Sequence, residues 1–99
     1  MSALIIDNVD VFLKERLERL GIKVDLRPGI SKEELTKLIK DYNILIFRGR
    51  LKIDKEIIDS GSNLKILARY GVGLDNVDVE YAVKKGIAVV SAPNAPTQS

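Results

Sequence analysis

The chain has 99 residues, of which 45% are hydrophobic and 30% are charged, a composition typical of one globular domain. It contains no cysteine and no histidine, which excludes disulfides, thiol chemistry and the commonest side chain for metal binding and proton transfer. Sixteen basic and fourteen acidic residues are interleaved and leave a net charge of +2, so we expect no nucleic-acid partner. Because neither a secretory signal nor an apolar run of membrane-spanning length is present, we expect a cytoplasmic protein without membrane contact.

The first half of the chain predicts two strand–helix units. Residues 3–6 form an apolar run that is typical of a buried strand, and residues 22–26 alternate as in a half-exposed edge strand. Between them an amphipathic helix is predicted, and Gly21 would end it. Its apolar stripe is Val9, Phe12, Leu13, Leu17 and Leu20. Ser31 and Glu34 match a capping box for a second helix. The buried side of that helix would be Leu35, Leu38, Ile39 and Tyr42.

The second half predicts three more strands, at residues 44–47, 64–68 and 87–90, each an apolar run of the buried type. Asp54 would cap a short helix that ends at Gly61. A longer helix is predicted over residues 77–85, with Asp78 as its N-cap and Gly86 as its stop. Its helical spacing comes from Val79, Ala82 and Val83.

Strands that recur about every 20 residues with helices between them predict the α/β class. Continuous apolar strands favour a parallel sheet covered by helices on both faces. Right-handed crossovers and five strands favour a flavodoxin-like, doubly wound parallel sheet with the strand order 2-1-3-4-5.

A ligand should bind where the carboxyl ends of these strands meet. The sequence places there Asp7, Asn8, Arg48, Gly49, the glycine turn 71–73 and the loop 92–94. The turn is not a dinucleotide fingerprint, because Asn76 stands at the third glycine position and no acidic residue ends the next strand. Two interpretations remain for it: glycines that ease a tight turn, or bare backbone N–H groups that bind a carboxylate or a phosphate.

The cations near this edge also have two interpretations. Arg48 directly follows an apolar strand, so it is either an anion-binding residue or a solvated loop cation. Arg50 is interpreted as a solvated loop cation. Arg69 interrupts an apolar strand and is expected to be paired structurally, because an unpaired buried charge is costly. Tyr70 either packs in the core or faces the ligand.

Residues 64–99 resemble the D-isomer-specific 2-hydroxyacid dehydrogenases, through the phrases GVGLDNVDVE and GIAVVSAP. The segment IFRGRLKID resembles the arginine segment of that family's third strand. The likeness is specific over residues 44–99 and rests on the general pattern over residues 1–43. Family members that act on 3-phospho-D-glycerate are the most similar. Ser91 and Pro96 stand where many members have asparagine. The resemblance therefore indicates the family more closely than it indicates which 2-hydroxy acid is the substrate.

The resemblance implies that residues 1–99 are a single domain, the N-terminal portion of a substrate-binding domain. The NAD-binding Rossmann domain, with the family's catalytic arginine, glutamate and histidine, would lie beyond Ser99. We therefore expect no catalytic residue and no metal site in this chain, and no activity from the chain alone.

The resemblance also implies site residues. Arg48 matches the arginine that holds the anionic group of the substrate. Tyr70, Gly71, Val72 and Gly73 match the backbone that receives the substrate carboxylate, and Val72 also approaches the nicotinamide of NAD. Asn76 belongs to the family's DN pair and is expected to brace the turn as part of the substrate site.

The implied activity is NAD-dependent hydride transfer from a D-2-hydroxy acid, with 3-phospho-D-glycerate as the expected substrate and 3-phosphohydroxypyruvate as the product, as in serine biosynthesis. The parent protein is expected to be a homodimer or tetramer, and this chain to associate weakly if at all. The alternative function is a free-standing anion-binding or regulatory module without catalysis.

Overall fold

Five short strands form one sheet. The computed structural model describes residues 1–70 and 76–92. The strands are β1 (Ser2–Ile5), β2 (Lys23–Leu26), β3 (Ile44–Phe47), β4 (Ile66–Tyr70) and β5 (Ala88–Ala92). They pair in the order β2-β1-β3-β4-β5, and every pairing is parallel. The predicted flavodoxin-like order is therefore confirmed, and β2 is an edge strand as expected.

Four α-helices lie in the described part of the chain: α1 (Val11–Arg19), α2 (Lys32–Leu38), α3 (Lys55–Ser60) and α4 (Val79–Lys84). Each follows a serine or aspartate whose side chain accepts a hydrogen bond from an N–H of the first turn, which satisfies a donor that the helix leaves open. These caps are Asp10, Ser31, Asp54 and Asp78. The last three were predicted and are confirmed.

The two faces of the sheet pack against different helices. On the face that we call the covered face, Leu45, Phe47 and Leu67 are fully buried. They pack with residues of α2, α3 and α4, namely Leu35, Ile57, Ile58 and Ala82. On the opposite face, which we call the open face, the strand residues pack only with α1 and its flanking segments among the described residues. This face comprises Ala3, Ile5, Ile44, Ile46, Ile66, Ala68 and Tyr70.

The exposed side chains of α1 correct its predicted apolar stripe. Leu13 and Leu17 pack on the open face, whereas Phe12 and Leu20 are 65% and 75% exposed. A short helix on a sheet buries a narrow stripe, and residues four apart fill that stripe here. Gly21 ends α1 as predicted, with a left-handed φ of 85° that a residue with a Cβ rarely adopts.

Three later predictions are also corrected. Helix α2 ends at Leu38 and a 3-10 turn follows (Ile39–Asp41), so Tyr42 lies outside the helix. Helix α4 begins at Val79 because Val77 instead forms a parallel bridge with Ile53, and Val83 is 60% exposed. Strand β5 is half-exposed, with Val90 45% exposed, because the register with β4 places Val90 beside Ala68, on the face where Ala68 itself is only half-buried.

Within the described ranges, no helix is both long enough and apolar enough to cross a membrane.

Candidate functional site at the carboxyl edge

Three neighbouring strands bring polar side chains to one edge of the sheet. Strands β1, β3 and β4 are adjacent and parallel, so their carboxyl ends lie side by side. Asp7 and Asn8 follow β1, Arg48 follows β3 directly, and Tyr70 is the last residue of β4. The predicted edge is therefore confirmed for Asp7, Asn8 and Arg48, and Tyr70 ends the neighbouring strand.

Asp7 is the anchor of this edge. It is 6% exposed and is the one charged side chain that the described residues bury. Its Oδ2 accepts the backbone N–H of Arg48 at 2.7 Å, and its Oδ1 accepts Nε–H of Arg50 at 2.8 Å. Arg50 also donates from Nη2 to the carbonyl of Ile6 at 3.0 Å. A buried carboxylate requires such partners, because burying it unpaired lowers the stability of the fold by roughly several kcal/mol.

The pairing of Arg50 with Asp7 overturns its interpretation as a solvated loop cation. No local sequence signal could have identified this ion pair, because the two residues lie 43 positions apart in the chain. Strand order brings Asp7 to the same edge as both arginines, but it does not determine which arginine takes the carboxylate.

Arg48 has a different environment. Its side chain is exposed, and its guanidinium carbon lies 5.8 Å from the centroid of the Tyr70 ring. At this distance the aromatic face attracts the cation weakly. Nη1 donates one long hydrogen bond, 3.3 Å, to the carbonyl of Asn8. Since a guanidinium has five N–H donors, the described residues leave most of the donors of Arg48 available to an anion.

Tyr70 fits the predicted packing alternative, and its place facing a ligand stays a prediction. It is half-buried, packs with the apolar residues of the open face, and carries the Arg48 cation on its ring.

Asn76 connects this edge to the segment after β4. Its Nδ2 donates to two carbonyl oxygens, of Arg48 at 2.9 Å and of Leu51 at 2.8 Å. The backbone carbonyl of Asn76 accepts the N–H of Ile53 at 2.7 Å. Asn76 thus holds the loop between β3 and α3. The prediction that it belongs to the substrate site stays a prediction.

The glycine turn lies outside the described residues. The predictions for Gly71, Val72 and Gly73, including the approach of Val72 to nicotinamide, therefore stay predictions. Gly49 is described: a Cβ at this position would lie 3.1 Å from Nη2 of Arg69. Its lack of a side chain lets the loop pass close to β4.

The described residues contain no group of three or more acidic side chains arranged to hold a metal ion. Among the described residues, this edge offers Asp7 paired with Arg50, and Arg48 as an additional positive charge. Such an arrangement can bind and orient a carboxylate or a phosphate.

Comparisons with known proteins show which family the chain belongs to. Residues 3–99 match the family model of the D-isomer specific 2-hydroxyacid dehydrogenase, catalytic domain. The chain is 35% identical over 99 residues to D-3-phosphoglycerate dehydrogenase of Archaeoglobus fulgidus, covering 100% of this chain and 19% of the relative. It is 45% identical over 83 residues to the enzyme of that name from Methanocaldococcus jannaschii, covering 84% of this chain and 16% of the relative.

A solved structure is also similar, that of an NAD+-bound 3-phosphoglycerate dehydrogenase from Entamoeba histolytica. It has a TM-score of 0.83 and 33% sequence identity, and the match covers 92% of this chain and 32% of that chain. This chain thus spans from 16% to 32% of the length of these three relatives. With a family model matched over residues 3–99, the chain belongs to the D-isomer specific 2-hydroxyacid dehydrogenase family.

Proposed function

We propose that this chain supplies the anion-binding part of the substrate cleft in an NAD-dependent dehydrogenase that acts on a D-2-hydroxy acid. The observation that carries the proposal is the exposed Arg48 guanidinium at the carboxyl edge. Its neighbour Asp7 is already paired with Arg50, so it does not neutralise Arg48 through its side chain. An incoming anion would therefore meet an uncompensated positive charge.

The substrate that we propose is 3-phospho-D-glycerate, oxidised to 3-phosphohydroxypyruvate in serine biosynthesis. The similarity to phosphoglycerate dehydrogenases supports this choice. A guanidinium suits both anionic groups of that substrate, because its paired N–H donors match two oxygens of a phosphate or a carboxylate.

The reaction moves a hydride from carbon 2 of the substrate to the nicotinamide and releases the hydroxyl proton to a base. This chain has no histidine to take that proton. We therefore assign it substrate binding rather than proton or hydride transfer, with the single nicotinamide contact predicted at Val72. Other parts of a longer protein would bind most of the cofactor, and the association state of that protein stays a prediction.

The test is a titration of the 99-residue chain with 3-phospho-D-glycerate. Binding is monitored through the arginine Nε–H signals in ¹⁵N NMR spectra. We expect the Arg48 signal to shift with saturation. Replacing Arg48→Ala should weaken binding by about tenfold or more, since hydrogen bonds to charged groups are lost. Arg48→Lys should restore part of the affinity, because it keeps the charge but not the paired donors.

Arg19→Ala is the matched control, since Arg19 is an exposed cation in the last turn of α1 and not at the carboxyl edge. The proposal fails if Arg19→Ala weakens binding as much as Arg48→Ala, or if the Arg48 signal does not respond. Addition of NAD+ to the same samples should produce no NADH. Binding together with a full-length protein that lacks dehydrogenase activity would instead favour a binding or regulatory module.

A further inference from the structure

The backbone around Arg48 is held from two sides by residues distant in sequence. We call residues 48–51 the arginine loop. On one side, Asp7 accepts the N–H of Arg48 at 2.7 Å. On the other side, Asn76 donates to the carbonyls of Arg48 at 2.9 Å and of Leu51 at 2.8 Å. Both peptide units that flank the Cα of Arg48 are therefore fixed.

The side chain of Arg48 is held much less firmly. Its described contacts are the long hydrogen bond to Asn8, at 3.3 Å, and the Tyr70 ring at 5.8 Å. The location of the guanidinium consequently depends on where the loop backbone places the Cα and Cβ of Arg48.

Asn76 is itself rigidly placed. Its backbone carbonyl accepts the N–H of Ile53 at 2.7 Å, and the backbone N–H of Asp78 donates to the carbonyl of Ile53 at 3.1 Å. These bonds form the parallel bridge between Ile53 and Val77, and both of those side chains are buried. Because the backbone of Asn76 is fixed, the hydrogen bonds from its side-chain amide fix the arginine loop in turn.

The hydrogen-bond pattern of the amide shows which of its atoms matters. Nδ2 donates to both carbonyls, whereas Oδ1 is buried and accepts no hydrogen bond from the described residues. A buried acceptor without a partner destabilises the fold. The residue therefore serves the loop through its two N–H donors, which aspartate and leucine of similar shape do not have.

We propose that Asn76 is a positioning residue for anion binding, which acts on the ligand through Arg48 and not by contact with the ligand. This inference rests on the proposed function of Arg48. Asn76 also lies three positions after Gly73, so one side chain links the arginine loop to the segment that follows the glycine turn.

The test is a double-mutant cycle between Asn76→Ala and Arg48→Ala, with 3-phospho-D-glycerate as the probe and the 99-residue chain as the protein. In the chain that keeps Arg48, Asn76→Ala should weaken binding by about five- to tenfold. In the Arg48→Ala background, it should weaken the residual binding little or not at all. An equal loss in both backgrounds would overturn the inference, since it would mean that Asn76 acts without Arg48.

Asn43→Ala is the matched control for a general loosening of the fold. Asn43 also braces two backbone groups, as its Oδ1 accepts the N–H of Ser2 at 3.0 Å and its Nδ2 donates to the carbonyl of Asn63 at 3.1 Å. These groups lie at the amino ends of the strands. Asn43→Ala should leave binding unchanged, and an equal loss from Asn43→Ala would also overturn the inference.

A measurement without ligand separates this inference from the proposed function. The Tyr70 ring, 5.8 Å from the guanidinium carbon, should shift the side-chain proton resonances of Arg48. Asn76→Ala should move them towards the values of a free arginine, whereas Asn43→Ala should not. If they do not move, Asn76 does not position Arg48, whatever the ligand. If they move but the parent chain binds no probe, the proposed function fails and the positioning role remains. Should Asn76→Ala not fold, Asn76→Ser keeps one donor and replaces it in every arm.

Discussion

The covered face of the sheet packs beneath α2, α3 and α4, whereas the open face meets α1 alone among the described helices. Leu67, on the covered face of β4, is fully buried. Ile66 and Ala68, on the open face of the same strand, are only half-buried. The open face also contains a concavity of about 290 Å³. Its lining is Leu13, Leu17, Ile22, Ile44, Ile46, Ile66, Ala68 and Tyr70.

The covered face contributes most to the stability of the chain, whereas the open face borders the candidate site. Side chains of the covered face exchange water for close packing on all sides, so they contribute most of the hydrophobic free energy. The open face is also apolar, and Ala3, Ile5, Ile44 and Ile46 are buried there, but its residues on β4 keep contact with solvent. It ends at Tyr70, whose ring lies under Arg48. The candidate site therefore lies at the end of the less stabilised face.

The largest expected effect compares neighbours on the two faces of β4. Leu67→Ala should lower the free energy of unfolding by about 2–5 kcal/mol, because it leaves a cavity among fully buried residues. Ile66→Ala should cost about 1 kcal/mol, because its side chain already contacts water. Urea unfolding monitored by circular dichroism measures both. Equal losses would break the comparison and would mean that the open face is covered in solution, which a concentration dependence of the unfolding midpoint would reveal.

A smaller effect is expected at the carboxyl edge, where the two faces meet. Asp7→Asn should lower the free energy of unfolding by about 1–3 kcal/mol, because it removes the charge that pairs with Arg50. The Arg50 side chain is 39% exposed, so solvent screening keeps the loss below that of a fully buried pair.

Asp10→Asn is the control for this substitution. Asp10 caps α1, and asparagine caps a helix as well as aspartate does, so the stability should hardly change. Urea unfolding of both variants provides the measurement. Similar stability of the two variants would show that the Asp7–Arg50 pair does not stabilise the edge.

The smallest effect concerns Tyr42, at the rim of the covered face. Burial, followed by the hydrogen bond that its hydroxyl donates to Asp25, raises the pKa of Tyr42 from 10.0 to about 12. Because the folded-state pKa lies above the unfolded value, the stabilisation is complete below pH 10 and is lost as the pH rises towards 12. Tyr42→Phe should cost about 1 kcal/mol at neutral pH, from the lost hydrogen bond.

Unfolding of the parent chain and of Tyr42→Phe, measured across this alkaline range, tests the sign. The stability difference between them should shrink as the pH approaches 12. A difference that stays constant would contradict the raised pKa of Tyr42. Tyrosinate absorbance of the folded chain gives the titration directly.

Much of the fold could be predicted because its signals are local. The capping side chains of Ser31, Asp54 and Asp78 act on N–H groups within three residues, so they can be recognised in sequence. The regular alternation of strand and helix, with the fixed hand of the crossovers, leaves few strand orders. The half-exposed pattern of β2 then identified it as an edge strand.

Exposure was less predictable, because an apolar residue shows what a strand can bury and not what covers it. Residues 87–90 were expected to be buried; Ile87 is, but Val90 lies beside the half-buried Ala68 and is exposed. Phe12 fits the apolar spacing of α1 but lies beside the stripe that contacts the sheet.

The sequence by itself determined the strand order, the caps of α2, α3 and α4, and the edge at which Asp7 and Arg48 meet, because periodicity and capping depend on neighbours in the chain. Only the tertiary structure decided that Arg50 takes the Asp7 carboxylate, that Arg48 stays exposed, and that Asn76 holds the arginine loop. Those contacts join residues 28 to 43 positions apart. Their geometry depends on how the packed sheet places its strand ends, and no local pattern encodes such distances.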